Sequence, residues 1–324
     1  MNKRPDGARA GETGNRTALG RRVWNARGLY LLFFIPCVYI IIFNYIPIYG
    51  VIMAFKRFSP GRGIWGSDWV GFYQFRRLFD SPNFWMILRN TLILSFYNIV
   101  AGFPFPLIMA VCVNHCILSR FKKAVQTITF APYFLSAVIL VGLVTQVLSM
   151  RTGGFNLLLS ALGFQEINFL GSALWFPHVY VWSNIWKSTG YSAIIYISSL
   201  AAVDPTYHEA ALIDGANIWQ RIWHIDLATI RPIIIIMLIL SMGGILGGDF
   251  ERIYLLQNPL NINTSEVIST YVYKVGLGVA GSGAFARPDY SFGTAIGLFQ
   301  NVVGVIMTLA VNRIANAVTG EGMF

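Results

Sequence analysis

The chain has 324 residues, of which 55% are hydrophobic and 12% charged, with a net charge of +10 and a mean hydropathy of +0.58. Soluble domains carry about a quarter charged residues, so this composition excludes an ordinary soluble fold and calls for a lipid-embedded one. Several apolar stretches reach the roughly 20 residues that cross about 30 Å of hydrocarbon as a helix.

Residues 1–28 hold Lys3, Arg4, Arg9, Arg16, Arg21, Arg22 and Arg27 against Asp6 and Glu12, ahead of an apolar run that reaches about residue 55. No small-residue cleavage site follows, so the run reads as a retained first helix behind a cytosolic, basic amino terminus. Six spans are expected, at about 29–54, 86–112, 124–148, 173–200, 232–249 and 290–312, within a membrane domain of residues 29–314. An even count returns the 315–324 tail to the cytosol. Arg120, Lys122 and Lys123 agree with that orientation, whereas the outer segment 56–89 opposes it with Lys56, Arg57, Arg62, Arg76, Arg77 and Arg89. The aromatic residues interleaved there, Trp65, Trp69, Phe72, Tyr73 and Phe75, mark an interfacial helix under headgroups, or else a basic face for an acidic partner.

Segments 150–172 and 250–289 read as Gly- and Ser-containing outer loops, with turn signals at Gly153-Gly154 and Asn258-Pro259. Gly276, Gly278 and Gly281 fit a G-x-G-x-x-G pattern without the strand and helix a dinucleotide site requires, so a flexible loop is expected. Cys37, Cys112 and Cys116 and the four His are scattered, and no metal or redox site is expected.

Between the fourth and fifth spans, residues 201–231 form a polar segment with the marks of a helical hairpin. Asp204-Pro205 is an N-cap and first helical position, with Thr206 and Glu209 as a competing capping box; Gly215 supplies the turn. Asn217 with Gln220 caps a second helix, whose Ile218, Ile222 and Ile225 recur near 3.6 residues beside Trp219 and Trp223. Such a hairpin is too polar to cross lipid and has the build of a cytosolic docking element for another protein's groove.

Glu209-Ala210-Ala211, Gly215, Ile225 and Leu227 resemble the EAA loop of permeases in binding-protein-dependent ABC importers, and Asp214-Gly215-Ala216 with Trp219-Gln220 and Trp223-His224-Ile225 is similar to the carbohydrate-uptake branch. Ala228 stands where the family usually has Pro, so the second helix is expected to run further before it bends. The resemblance implies an all-α polytopic permease of type I importer architecture, with Glu209, Ala210, Ala211, Asp214 and Gly215 coupling to an ATPase subunit. It also implies a second permease subunit, two ATP-binding subunits that hold ATP and Mg, and a periplasmic or extracellular solute-binding protein, all at the bacterial inner membrane. The chain has no G-x-x-x-x-G-K-[ST] motif, so ATP is not expected to bind here in that manner, and neither a catalytic residue nor a nucleic-acid partner is expected. The cargo implied is an oligosaccharide, with complex or acidic glycans such as alginate oligosaccharide within range. An importer of peptide, polyamine or phosphate ester is the alternative, followed by a membrane enzyme or a channel.

Polar side chains at mid-membrane are costly and face cavities or other helices. Asn184, Lys187, Ser188 and Tyr191 recur at helical spacing in the fourth span, and Ser241, Gln300 and Asn301 sit in the fifth and sixth; these are the candidate cavity residues. Planar hydrogen-bonding groups beside Trp186 suit sugar. Lys187 suits an acidic sugar, or else snorkels or pairs with Asp249 or Glu251. Gly243, Gly247, Gly244 and Gly248, with Gly293, Gly297 and Gly304, are expected to bring helices close.

Overall fold

The computed structural model describes residues 26–244, 246–247, 249–279 and 287–319; most of the 1–28 segment, part of the 315–324 tail, and Gly248 and Gly281 of the glycine motifs lie outside them. The protein is a helical bundle whose one sheet, among the described residues, is the two-residue ladder Lys56–Arg57 against Asp68–Trp69.

Among the described residues, three stretches are long and apolar enough to span, Arg27–Phe55, Phe84–Asn114 and Tyr290–Ala317, and these are the expected first, second and sixth spans. Pro104 marks a seam in the second between Phe84–Gly102 and Pro104–Asn114, where the ring removes a backbone donor. Phe176–Ala201 is the fourth: 26 residues, about 39 Å at 1.5 Å per residue, and more polar than those three because one of its sides lines a cavity.

The two remaining spans are not the straight rods expected. Ser119–Phe134 and Ala137–Val147 meet at 105°, because Pro132 tightens the end of the first helix, Leu135 is extended, and Ser136 caps the second by accepting from the Ile139 N–H. The fifth span is Arg231–Gly243, 13 residues and so about 20 Å, shorter than the hydrocarbon core. It breaks before Asp249, where expectation carried it on unbroken. Gln300 of the sixth span donates to the Leu246 carbonyl at 2.7 Å and thereby satisfies backbone inside the break.

Segment 250–289 is not a loose outer loop. Phe250–Leu256, Ile262–Ser265 and Ile268–Leu277 are helices, and they supply Ile253, Leu256, Val267, Ile268, Tyr271 and Val275 to two apolar clusters shared with the second, fourth and sixth spans. Polar side chains make that burial possible: Asn90 donates to the Asn263 and Glu266 carbonyls, and Asn261 to those of Leu170 and Leu256. The periodicity was masked by turn residues whose side chains serve as internal caps. Segment 150–172 likewise holds a helix, Gly154–Ala161. In the outer segment 56–89, helix Tyr73–Phe79 buries Gln74 and Leu78, and Arg77 pairs with Asp289 at 2.6 Å over the Phe292 ring. That helix therefore packs on protein, while Trp65, Trp69 and Phe72 remain exposed, as an interfacial position requires.

Candidate functional site

Two features stand out, a polar cavity within the bundle and the hairpin at one end of it. The cavity forms where the second and fourth spans face the broken fifth. One lobe, of about 310 Å³, is bounded by Asn98, Asn184, Ser188, Ser192, Tyr196 and Ser241 among others. A second, of about 320 Å³, shares Asn98, Asn184 and Ser241 and adds Ser95, Asp249 and Arg252. Asn184 is the hub: its amide donates to Asn98 Oδ1 at 2.8 Å, and its carbonyl accepts from Arg252 at 3.0 Å. Arg252 is buried, with its guanidinium 4.4 Å from the Tyr180 ring centroid. Its Nε lies 3.3 Å from Asp249 Oδ2, an ion-pair contact that lacks hydrogen-bond alignment and leaves that donor unsatisfied. A buried cation is tolerable with a carboxylate and an aromatic face beside it.

Of the residues expected in a cavity, Asn184, Ser188 and Ser241 come together. Tyr191 instead stacks on Tyr133 at 3.7 Å. Gln300 and Asn301 border a separate space on the other side of the helix break, with Gly304, Val305 and Thr308. Lys187 is half-buried, lines neither lobe, and has no hydrogen-bond or ion-pair partner among the described residues. The pairing with Asp249 is not made, because Arg252 occupies that carboxylate. Sequence reading missed Arg252 and Asn98. Arg252 was counted as outer loop, three residues beyond a helix break that hydropathy does not register.

The hairpin forms as its caps dictate. Helix Pro205–Ile213 starts at Asp204, whose carboxylate accepts from the Thr206 N–H at 2.9 Å; Thr206 is not the cap. Those hydrogen bonds hold the Asp204 carboxyl below the usual range. The charged form is thus the one the helix start favours, so this cap is intact above the ordinary carboxylate pKa and is lost as pH falls through the lowered one. Gly215 then turns with φ +79°, and the reciprocal bonds of Asn217 and Gln220, 2.8 and 2.9 Å, open the next helix. That helix continues through a π turn, Ile222–Asp226, and Leu227–Thr229 before it bends by 64° into the fifth span. Ala228 stops nothing; the bend falls at Ile230, one residue before Arg231-Pro232. Glu209, Ala210, Asp214 and Gly215 are exposed and Ala211 half-buried, and beside them Tyr207, Ile213, Trp219 and Trp223 present uncovered apolar surface.

A bundle of spans around a polar cavity, with a capped hairpin projecting from one end, is the build of a membrane permease. The family profile described as "Binding-protein-dependent transport system inner membrane component" matches residues 85–320, and the chain belongs to that family of ABC importer permeases. It is a transport component, not an enzyme, and its kind works with ATPase partners. Among its relatives, protein LplB of Bacillus subtilis (strain 168) is 41% identical over 307 residues, 95% of this chain and 93% of that protein. The polygalacturonan/rhamnogalacturonan transport system permease protein YteP of the same organism is 39% identical over 296 residues, 91% of this chain and 90% of its own. One chain in the crystal structure of a bacterial alginate ABC transporter, in complex with an alginate pentasaccharide-bound periplasmic protein, superposes with a TM-score of 0.83. It is 36% identical, and the match covers 94% of this chain and 99% of that one.

Proposed function

We propose that this permease forms half of a pathway for acidic oligosaccharide, delivered by a solute-binding protein and driven by two ATP-binding subunits docked on the Glu209 hairpin, with both termini cytosolic. The observation that carries the cargo is the cavity wall, where Asn98, Asn184 and Ser241 border both lobes, Ser188 borders the first, and the buried Arg252 beside Asp249 borders the second. Hydroxyl-rich carboxylate sugars need that combination: amide and hydroxyl partners in number, plus one positive charge. Two of the relatives named above, a polygalacturonan/rhamnogalacturonan transport system permease and a chain of a transporter for the acidic polysaccharide alginate, support the same class here. Lys187, on the same helix and unpaired among the described residues, lies outside both lobes, and in this reading it meets cargo where the facing permease completes the pathway.

The test is uptake by proteoliposomes holding the whole complex. Trigalacturonate or an alginate trimer should enter on ATP addition, and a neutral trisaccharide should not compete; preferential entry of the neutral sugar would refute the cargo class. Lys187→Gln is expected to lower uptake of the acidic sugar by about tenfold, the scale of one charge-assisted contact of about 1.5 kcal/mol, with ATPase retention unchanged. Uptake equal to wild type would confine Lys187 to a structural role.

A further inference from the structure

Asp226, in the π turn of the hairpin's second helix, has no exposed surface at all. His115 Nε2, at the inner end of the second span, lies 2.6 Å from Asp226 Oδ2. His208 Nε2, on the hairpin's first helix, lies 3.2 Å from Oδ1, off the line of a hydrogen bond, so that oxygen forms none. The two imidazoles face each other edge to face at 6.0 Å. A carboxylate in this position is costly to bury without donors, so three elements are held at one point: the end of span two, the hairpin's first helix and its second.

The clamp also has a route to the cavity. His208 precedes Glu209, and consecutive helical residues point about 100° apart, so the imidazole faces inward while Glu209 is exposed. Ile225 and Leu227, the neighbours of Asp226, pack into the apolar cluster of Ala110, Ala193, Tyr196, Leu200 and Ile230. Tyr196 and Met237 of that cluster also line the cavity.

We infer that His115 and His208 are positioning residues for transport, a two-imidazole clamp on Asp226 that passes displacement of the hairpin to the cavity wall. This rests on the reading of the hairpin as the ATPase dock. The test uses the complete complex in proteoliposomes, with labelled trigalacturonate, and compares His115→Ala and His208→Ala with the corresponding Gln variants. Three quantities are read: ATPase subunit retained on the permease, hydrolysis stimulated by loaded binding protein, and sugar moved per ATP. Both Ala variants should keep the subunit and hydrolyse, yet move less sugar per ATP: about tenfold less for His115→Ala, the scale of one lost hydrogen bond to a charged group, and a smaller loss for His208→Ala, which removes a charge contact without a hydrogen bond. At position 115 Gln supplies a replacement N–H and should restore the ratio to within about twofold, whereas at position 208, where no hydrogen bond is made, Gln should behave as Ala does. An unchanged ratio in both Ala variants overturns the clamp while leaving the dock intact. Loss of the subunit in Ala and Gln variants alike marks the cluster as merely structural and overturns the clamp. A wild-type permease that retains no ATPase subunit overturns the dock, and the clamp with it.

Discussion

Glu209→Lys is expected to abolish uptake and to leave the permease at wild-type level in the membrane. Glu209 is exposed and has no ion pair or hydrogen bond among the described residues, so its removal costs the fold nothing that the structure displays. What reversal changes is the outward face of Pro205–Ile213, where a docked partner would meet a cation in place of an anion. Like charges brought together at a desolvated contact cost several kcal/mol, enough to reduce assembly by a hundredfold or more. Co-purification of the ATPase subunit decides the matter. A charge-reversed permease that retains its partner and transports normally would remove this face from the coupling surface.

The second large effect concerns folding. Gly190 is buried in Phe176–Ala201 where Ser119–Phe134 crosses it, and a Cβ there would lie 2.2 Å from the Thr129 carbonyl oxygen and 2.9 Å from the Phe130 nitrogen. Backbone cannot swing aside as a side-chain end can, so the helices must part. Gly190→Val should cost about 3 kcal/mol or more, at the upper end of overpacking effects, and reduce folded protein in detergent by roughly a hundredfold relative to unfolded. Gly142→Ala is the matched control. Its Cβ meets nothing within 4 Å in helix Ala137–Val147, so it should be neutral or stabilising by up to about 1 kcal/mol. Fluorescence-detected size exclusion after graded heating separates the two, and equal thermal profiles would contradict the close crossing.

Much of this protein was legible from its residues, and the part that was not has a physical cause. Hydropathy located the first, second and sixth spans because each is a continuous apolar helix. The hairpin was read down to its caps because Asp204-Pro205, Gly215 and the Asn217–Gln220 box are local devices, decided within four residues of chain. Breaks in the third and fifth spans were invisible, since Ser136 and Asp249 start new helices within stretches whose mean hydropathy stays high. Site residues were read only in part for a related reason. Helical spacing put Asn184, Lys187, Ser188 and Tyr191 on one side of a helix, but which of them meets a cavity depends on the neighbour: Tyr133 takes Tyr191, and Asn98 and Arg252 take Asn184. Arg252 lies 68 positions from Asn184 in sequence, and no local pattern announces such a pair.

The bend at Ile230 also sets a mechanical ratio. Helix Arg231–Gly243 is joined without slack to the hairpin's second helix, and its far end is free of the next helix because of the break before Asp249. Driven from the hairpin as proposed, it would act as a short lever pivoted at Ile230. Ser241 stands 11 residues from the pivot, about 16 Å along the axis, so a rocking of about 10° at the hairpin displaces it by roughly 3 Å. That is the full length of a hydrogen bond. In the proposed cycle, small strokes at the hairpin would suffice to take a cargo hydroxyl from bonded to released, and a continuous fifth helix, fixed at both ends, would give the same stroke nowhere to go.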